Sequence, residues 1–156
     1  MKKAIILITI VLITYSVGNS QEIKWYSWSE GYEIAKKENK KVLVFIYADW
    51  CHLCKRMLDK TFTDQEVISN ISNNYVAVKF NYEIDSPKKM TYRFNDKDLT
   101  IQEFILMLWN AEKGQPVQLA VPTSIFFDIN SKKSEKISGA LSPADYIIDL
   151  NRYSSK

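Results

Sequence analysis

One stretch limits the folds open to this chain more than any other. It runs Val42-Leu43-Val44-Phe45-Ile46-Tyr47-Ala48 and continues directly into Asp49-Trp50-Cys51-His52-Leu53-Cys54-Lys55. The first half is an unbroken apolar run rich in β-branched and aromatic residues, the composition and length of a strand buried on both faces. The second half holds the chain's only two cysteines, spaced Cys-x-x-Cys, and leads into a segment that can be helical. Cys51 therefore sits at a strand-to-helix junction, where free backbone N–H groups and the helix dipole favour negative charge. A thiolate is such a charge, and it is the reactive form of cysteine. The pattern predicts a redox-active dithiol displayed at the end of a central strand.

The rest of the composition fits one domain around that strand. With 156 residues, 46% of them hydrophobic and 13% aromatic, the chain can bury a sizeable core without several disulfide staples. The first twenty residues read as an export signal. Lys2 and Lys3 give a positive start, an apolar stretch follows over Ala4–Tyr15, and the small residues Ser16, Gly18 and Ser20 allow cleavage after Ser20 or Gly18. That apolar stretch is shorter than the roughly 20 residues a membrane-spanning helix needs, so no membrane span is expected once the signal is removed. Residues 21–156 then form the mature domain, exported to a periplasm or secreted, and the two-lysine start and short signal point to a bacterium. The mature part carries 19 basic and 18 acidic residues. This balance gives no reason to expect nucleic acid or an acidic membrane surface as a partner. Short basic runs such as Lys36-Lys37 and Lys132-Lys133 read as solvated surface.

From Gln21 the chain alternates helical and strand-like segments. Ile23–Trp28 is a short strand or an apolar lead-in. Ser29 is a cap for a helix reaching Asn39, with Glu30 and Glu33 near its positive end and lysines near its negative end. After the core strand, the Cys51 helix is expected to run to Lys60 with Leu53, Met57 and Leu58 inward. Thr63-Asp64 caps a further helix to Ser72, and Tyr75–Tyr82 alternates as a strand. Glu83–Asp98 is polar, contains Pro87, and reads as a loop. Leu99–Ala111 carries Ile101, Phe104, Ile105, Leu108 and Trp109 at helical spacing, a stripe for core packing, with Gly114 and Pro116 as terminators. Thr123–Ile129 and Ser134–Ser138 form a hairpin around Asn130-Ser131. Gly139 makes a turn, and Ser142-Pro143 opens a last helix to Tyr153.

Strands separated by helices imply parallel pairs, and the late hairpin adds an antiparallel edge. The expected class is α/β, a central mixed β-sheet flanked by helices on both faces. That order, together with Ala48-Asp49-Trp50-Cys51-His52-Leu53-Cys54-Lys55, Val121-Pro122-Thr123 before apolar Ile125-Phe126-Phe127, and Gly139 before the last helix, resembles the thioredoxin superfamily, in particular its exported bacterial thioredoxin-like proteins. The resemblance covers Trp25 to Tyr153. It implies the thioredoxin fold and a thiol–disulfide oxidoreductase, with Cys51 as nucleophile and Cys54 as the resolving thiol. It also implies a cis Val121–Pro122 bond beside the dithiol, where Val121 offers its backbone to an extended client. The partners would be exported proteins bearing thiols or disulfides and a redox partner that recharges the dithiol. No cofactor or metal is called for.

Other chemistries remain to be weighed on the same residues. Haem attachment needs His after the second cysteine, and Lys55 stands there. A structural zinc usually needs four ligands, and only Cys51, Cys54 and His52 are at hand. A Cu(I) site using both thiolates with His52 or Met57 is chemically open, so the alternative function is a non-enzymatic dithiol module binding copper or another thiol protein. A purely structural disulfide would close too short a loop to constrain much of the unfolded chain. His52, the chain's one histidine, is either a solvent-facing spacer or, when protonated, a stabiliser of the Cys51 thiolate. Trp50 and Lys55 flank the pair and are expected to modulate it. In thioredoxins a buried acid stands six residues before the first cysteine. Here that position is Phe45, which leaves the proton relay unassigned, and Asp49 is expected to be exposed.

Overall fold

The computed structural model describes residues 21–83 and 91–155; the predicted signal segment and part of the polar stretch after Glu83 lie outside the described residues. The central element is β2 (Lys41–Tyr47), whose five inner residues are all buried. Alternation sends Leu43 and Phe45 to one core, and Val42, Val44 and Ile46 to a second on the opposite face. That two-sided burial is why the run reads as continuously apolar rather than alternating.

Around β2 the sheet has the order β1-β3-β2-β6-β7, built from β1 (Trp25–Tyr26), β3 (Tyr75–Asn81), β6 (Thr123–Asp128) and β7 (Lys133–Ser138). β3 runs parallel to both β1 and β2, β6 is antiparallel to β2, and β7 to β6. The sheet is mixed, as expected. One face is covered by α1 (Trp28–Glu38) and α4 (Ile101–Trp109), through Trp28, Tyr32, Phe104 and Leu108. The other is covered by α2 (His52–Arg56), α3 (Gln65–Asn74) and α5 (Pro143–Ser154), through Cys54, Val67, Ile71, Tyr146 and Leu150. Gly31 lets α1 lie close on the sheet, because a Cβ there would run into the Val78 side chain.

Several element boundaries differ from the sequence reading. The cap of α1 is Ser27, not Ser29. Ser27 Oγ donates to Glu30 Oε2 at 2.7 Å, and Trp28 already turns inward onto Phe104 and Phe127. The Cys51 helix is α-helical only to Arg56; Met57–Thr61 follows as a π-helical turn, closed by Phe62 N–H donating to Met57 O at 2.9 Å. Leu53 faces outward rather than inward, because Cys54, Met57 and Thr61 take the buried line. α3 starts on the Asp64 cap as expected and runs two residues past Ser72.

The stretch read as a loop contains a hairpin, β4 (Thr91–Phe94) and β5 (Lys97–Thr100), turning through Asn95 and Asp96 at positive φ. It clamps onto α1: Trp28 Nε1 donates to Arg93 O at 3.0 Å and Tyr32 Oη to Asn95 Oδ1 at 2.9 Å. Leu99 therefore belongs to β5, and Thr100 caps α4. That helix ends at Asn110 in the left-handed region, before Gly114 and Pro116 are reached. The late hairpin and the Ser142-capped final helix follow the expectation.

Candidate active site

The polypeptide leaves β2 at Tyr47 and turns, with Cys51 N–H donating to Ala48 O at 3.1 Å. Cys51 has extended backbone angles and acts as the N-cap of α2, its Sγ accepting a hydrogen bond from Cys54 N–H at 3.1 Å. Cysteine here occupies the role usually given to Ser or Asp, so the N–H that would satisfy a cap oxygen is aimed at sulfur. Cys51 and Cys54 are joined in a disulfide, with Cα atoms 5.2 Å apart. Both cysteines are buried, Cys54 fully and Cys51 to 4% exposure, while their chain neighbours Trp50 and Leu53 are 60% and 46% exposed. His52 and Lys55 are both exposed on the outer side of α2.

Behind the dithiol, Phe45 is fully buried and packs against Trp25, Tyr47 and Phe62, with the Phe62 ring centroid 4.8 Å away. The same core holds Tyr146, whose Oη donates to Ser124 Oγ at 2.9 Å; burial pushes that phenol well above its ordinary range. Among the described residues, no cluster of three or more His, Cys, Asp and Glu side chains is placed to hold a metal.

The turn before Cys51 is tied to the end of β3 by residues the sequence reading did not single out. Tyr47 and Asn81 are register partners, and Tyr82 N–H donates to Tyr47 O at 3.1 Å. Asn81, 3% exposed, donates from Nδ2 to Asp49 Oδ1 at 3.0 Å and accepts from Glu83 N–H at 3.1 Å. Glu83 in turn accepts from Trp50 Nε1 at 3.0 Å. Asp49 is exposed, as expected. The available signal was a short polar amide ending a strand that runs parallel to β2, the place where a buried side chain can reach the adjoining turn.

The Val121–Pro122 bond is cis, and β6 begins at the next residue. Val121 packs against the core that contains both cysteines, and Pro122 O accepts from Gly139 N–H at 2.8 Å. Gly139 makes that turn at φ 103°, a backbone state open to glycine.

A mixed sheet flanked by helices, with a Cys-x-x-Cys pair capping the helix after its central strand, defines a protein of thioredoxin fold with a redox-type dithiol. The thioredoxin-like domain family matches residues 28–154, and the chain belongs to that family. It is 27% identical over 122 residues to the thiol:disulfide interchange protein DsbD of Actinobacillus pleuropneumoniae, covering 77% of this chain and 17% of that protein. It is 32% identical over 62 residues to human spermatogenesis-associated protein 20, covering 39% of this chain and 8% of that one. The chain thus spans only a small part of these relatives. Among solved structures it resembles a thioredoxin from Thermus thermophilus, with TM-score 0.60 and 17% identity over 84% of this chain and 86% of that one. It also resembles the C-terminal domain of DsbD from Neisseria meningitidis, with TM-score 0.55 and 18% identity over 80% and 91%. At these identities the structural likenesses speak to the fold.

Proposed function

We propose that the chain exchanges disulfides with client proteins through Cys51-His52-Leu53-Cys54 after export from the cytoplasm. The observation that carries this reading is the position of the disulfide: Cys51 caps the helix that follows the central strand, with the Cys54 N–H aimed at its sulfur. The family and the likeness to DsbD, a thiol:disulfide interchange protein, support it.

In the reducing direction, the Cys51 thiolate attacks a client disulfide, forming a Cys51–client bond and releasing one client thiolate. Cys54 then attacks Cys51 Sγ, the second client sulfur leaves as thiolate, and the Cys51–Cys54 disulfide forms. Two electrons pass to the client, and two protons accompany them from the dithiol. In the oxidising direction every step reverses, and relative potentials set which direction runs. A redox partner restores the starting state. Export is supported by the N-terminal pattern Met1–Ser20 and suits disulfide chemistry, which persists outside the cytoplasm. Among the described residues no helix is long and apolar enough to cross a membrane.

Val121 and Pro122 are assigned to client binding. An extended segment would pair with the Val121 backbone as an added strand, beside the core that holds the dithiol. Trp50, His52 and Lys55 are assigned to tuning the pair, as its immediate chain neighbours. The test uses Cys54→Ser and Cys51→Ser expressed as full chains. Cys54→Ser should trap mixed disulfides visible on non-reducing gels and Cys51→Ser few; equal trapping by the two would overturn the assignment of roles.

A further inference from the structure

The segment that carries the dithiol also concentrates positive charge. Along 52–61, Cys54, Met57 and Thr61 are buried, whereas His52, Leu53, Lys55, Arg56, Asp59 and Lys60 are exposed. Three fixed cations therefore face solvent against one carboxylate, in a chain whose residues 21–156 hold 19 basic and 18 acidic side chains. The ion pairs found among the described residues join Lys40 to Glu38, Arg93 to Asp98 and Arg152 to Asp149, leaving Lys55, Arg56 and Lys60 outside them. On the other flank of Cys51 the carboxylates of Asp49 and Glu83 accept from Asn81 and Trp50; these neutral donors leave their charge in place, so the basic face is confined to the helical segment.

A structural role for these cations would be to offset the negative end of a helix. Lys55 and Arg56 do not sit at such an end, because the helix continues through the π-helical turn closed by Phe62 N–H on Met57 O; only Lys60 lies in its last turn. The charges are exposed along the same helical segment as Leu53, the segment that Cys51 caps.

Resting on the proposed exchange function, we infer that the protein partner of Cys51 presents an acidic segment next to its own cysteine, docking on the Lys55–Arg56–Lys60 ridge. Complementary charge of this kind speeds encounter and fixes orientation. It acts over roughly a Debye length, about 30 Å at 0.01 M ionic strength and about 3 Å at 1 M.

The experiment measures exchange between the reduced full chain and two probe peptides. Each has one cysteine capped as a mixed disulfide with 2-mercaptoethanol, flanked by glutamates in one and lysines in the other. Rates are divided by those of the same peptides with free 2-mercaptoethanol, which removes their intrinsic reactivity. The corrected preference for the acidic probe should be about tenfold at low salt and fall toward unity at high salt. Arg56→Glu with Lys60→Glu should abolish or invert it. Because this preference is a ratio, any change in Cys51 reactivity cancels. The wild-type salt dependence decides the matter even where the variant does not fold. A wild-type ratio near one at low salt, or a ratio the double variant leaves unchanged, would overturn the inference. The neutral 2-hydroxyethyl disulfide separates the two levels of reading. Exchange with it but no discrimination between probes overturns only the acidic partner, whereas no exchange at all removes the oxidoreductase function and the inference with it.

Discussion

Asn81→Asp tests whether the turn before Cys51 is held by the end of β3. The substitution keeps size and keeps an acceptor for Glu83 N–H, but it replaces the amide that donates to Asp49 Oδ1 at 3.0 Å with a second carboxylate. The lost hydrogen bond is worth about 1 kcal/mol. Two like charges centred about 4 Å apart add about 1 kcal/mol in a water-like medium and about 4 kcal/mol at the effective dielectric of a protein surface. Asp49 is exposed, so the lower part of that range applies, and the total is about 2–3 kcal/mol at neutral pH. For a domain of this size that is a fall of roughly 6–12 °C in Tm. The deficit should shrink in acid. The crowded carboxyl pair of the variant binds a proton more readily folded than unfolded, so the variant loses stability as pH rises above the ordinary aspartate value of about 4. Exchanging the partners, Asp49→Asn with Asn81→Asp, restores a donor facing an acceptor and should recover most of the loss. Urea unfolding of the oxidised protein at about pH 4 and pH 7 measures all three variants. A single variant within about 0.5 kcal/mol of wild type, the scatter of ordinary surface changes, or a swap that recovers nothing, refutes the reasoning.

Removing the positive charge that His52 can carry, as His52→Gly, should lower the fraction of Cys51 present as thiolate at neutral pH in the reduced protein. Thiolate absorbance reads this directly, and an unchanged titration returns His52 to a spacer. Gly31→Ala should cost about 1–3 kcal/mol by overpacking, since its Cβ meets Val78; a neutral result in urea would mean the helix shifts freely on the sheet. Burial pushes the phenols of Tyr75 and Tyr146 above their ordinary value of 10.0. Their contribution is therefore complete below about pH 10 and is lost as pH rises beyond it, because the unfolded phenols ionise first. Tyr146→Phe should lose about 1–2 kcal/mol at neutral pH by leaving Ser124 Oγ without its donor, and should weaken the alkaline dependence.

The parts of the fold that were legible are those where one residue type answers one physical demand. Val42–Ile46 could only be a strand covered on both faces, and Ser142-Pro143 could only open a helix. The β4–β5 hairpin was hidden because each strand is four residues long and its apolar content reduces to Tyr92, Phe94 and Leu99, set among charges. Its stability comes from Trp28 and Tyr32, some sixty residues away. Leu53 was misplaced because helical spacing alone leaves the phase open between neighbours; Cys54 and Met57 take the inward line. Within the site, the cysteines were visible as types at a spacing, and the cis bond at Pro122 only through the resemblance to thioredoxins. Asn81 was not, because a buried amide betrays itself only through the partner it reaches.

Phe45 shows how far the dithiol's surroundings depart from what the thioredoxin resemblance implies at that position. A carboxylate there would lie between Lys79 and Ser124 in the sheet register, under the rings of Trp25 and Phe62. Burying such a charge costs several kcal/mol unless a cation such as Lys79 pairs with it, whereas a buried Phe contributes about 1.5–3 kcal/mol. The π-helical turn strengthens the apolar choice, since it closes on Phe62, whose ring meets Phe45, Trp25 and Tyr146 at once. Cys54 is sealed in that same core, with no exposed surface. On the proposed function, Cys54 must still lose its proton when it attacks Cys51 Sγ. With Phe45 in the place of that acid, the side chain at this position cannot accept the proton, which passes to a thiolate released from the client or to solvent. Resolution then coincides with client release, because the bond that Cys54 forms to Cys51 Sγ is the one that frees the second client sulfur.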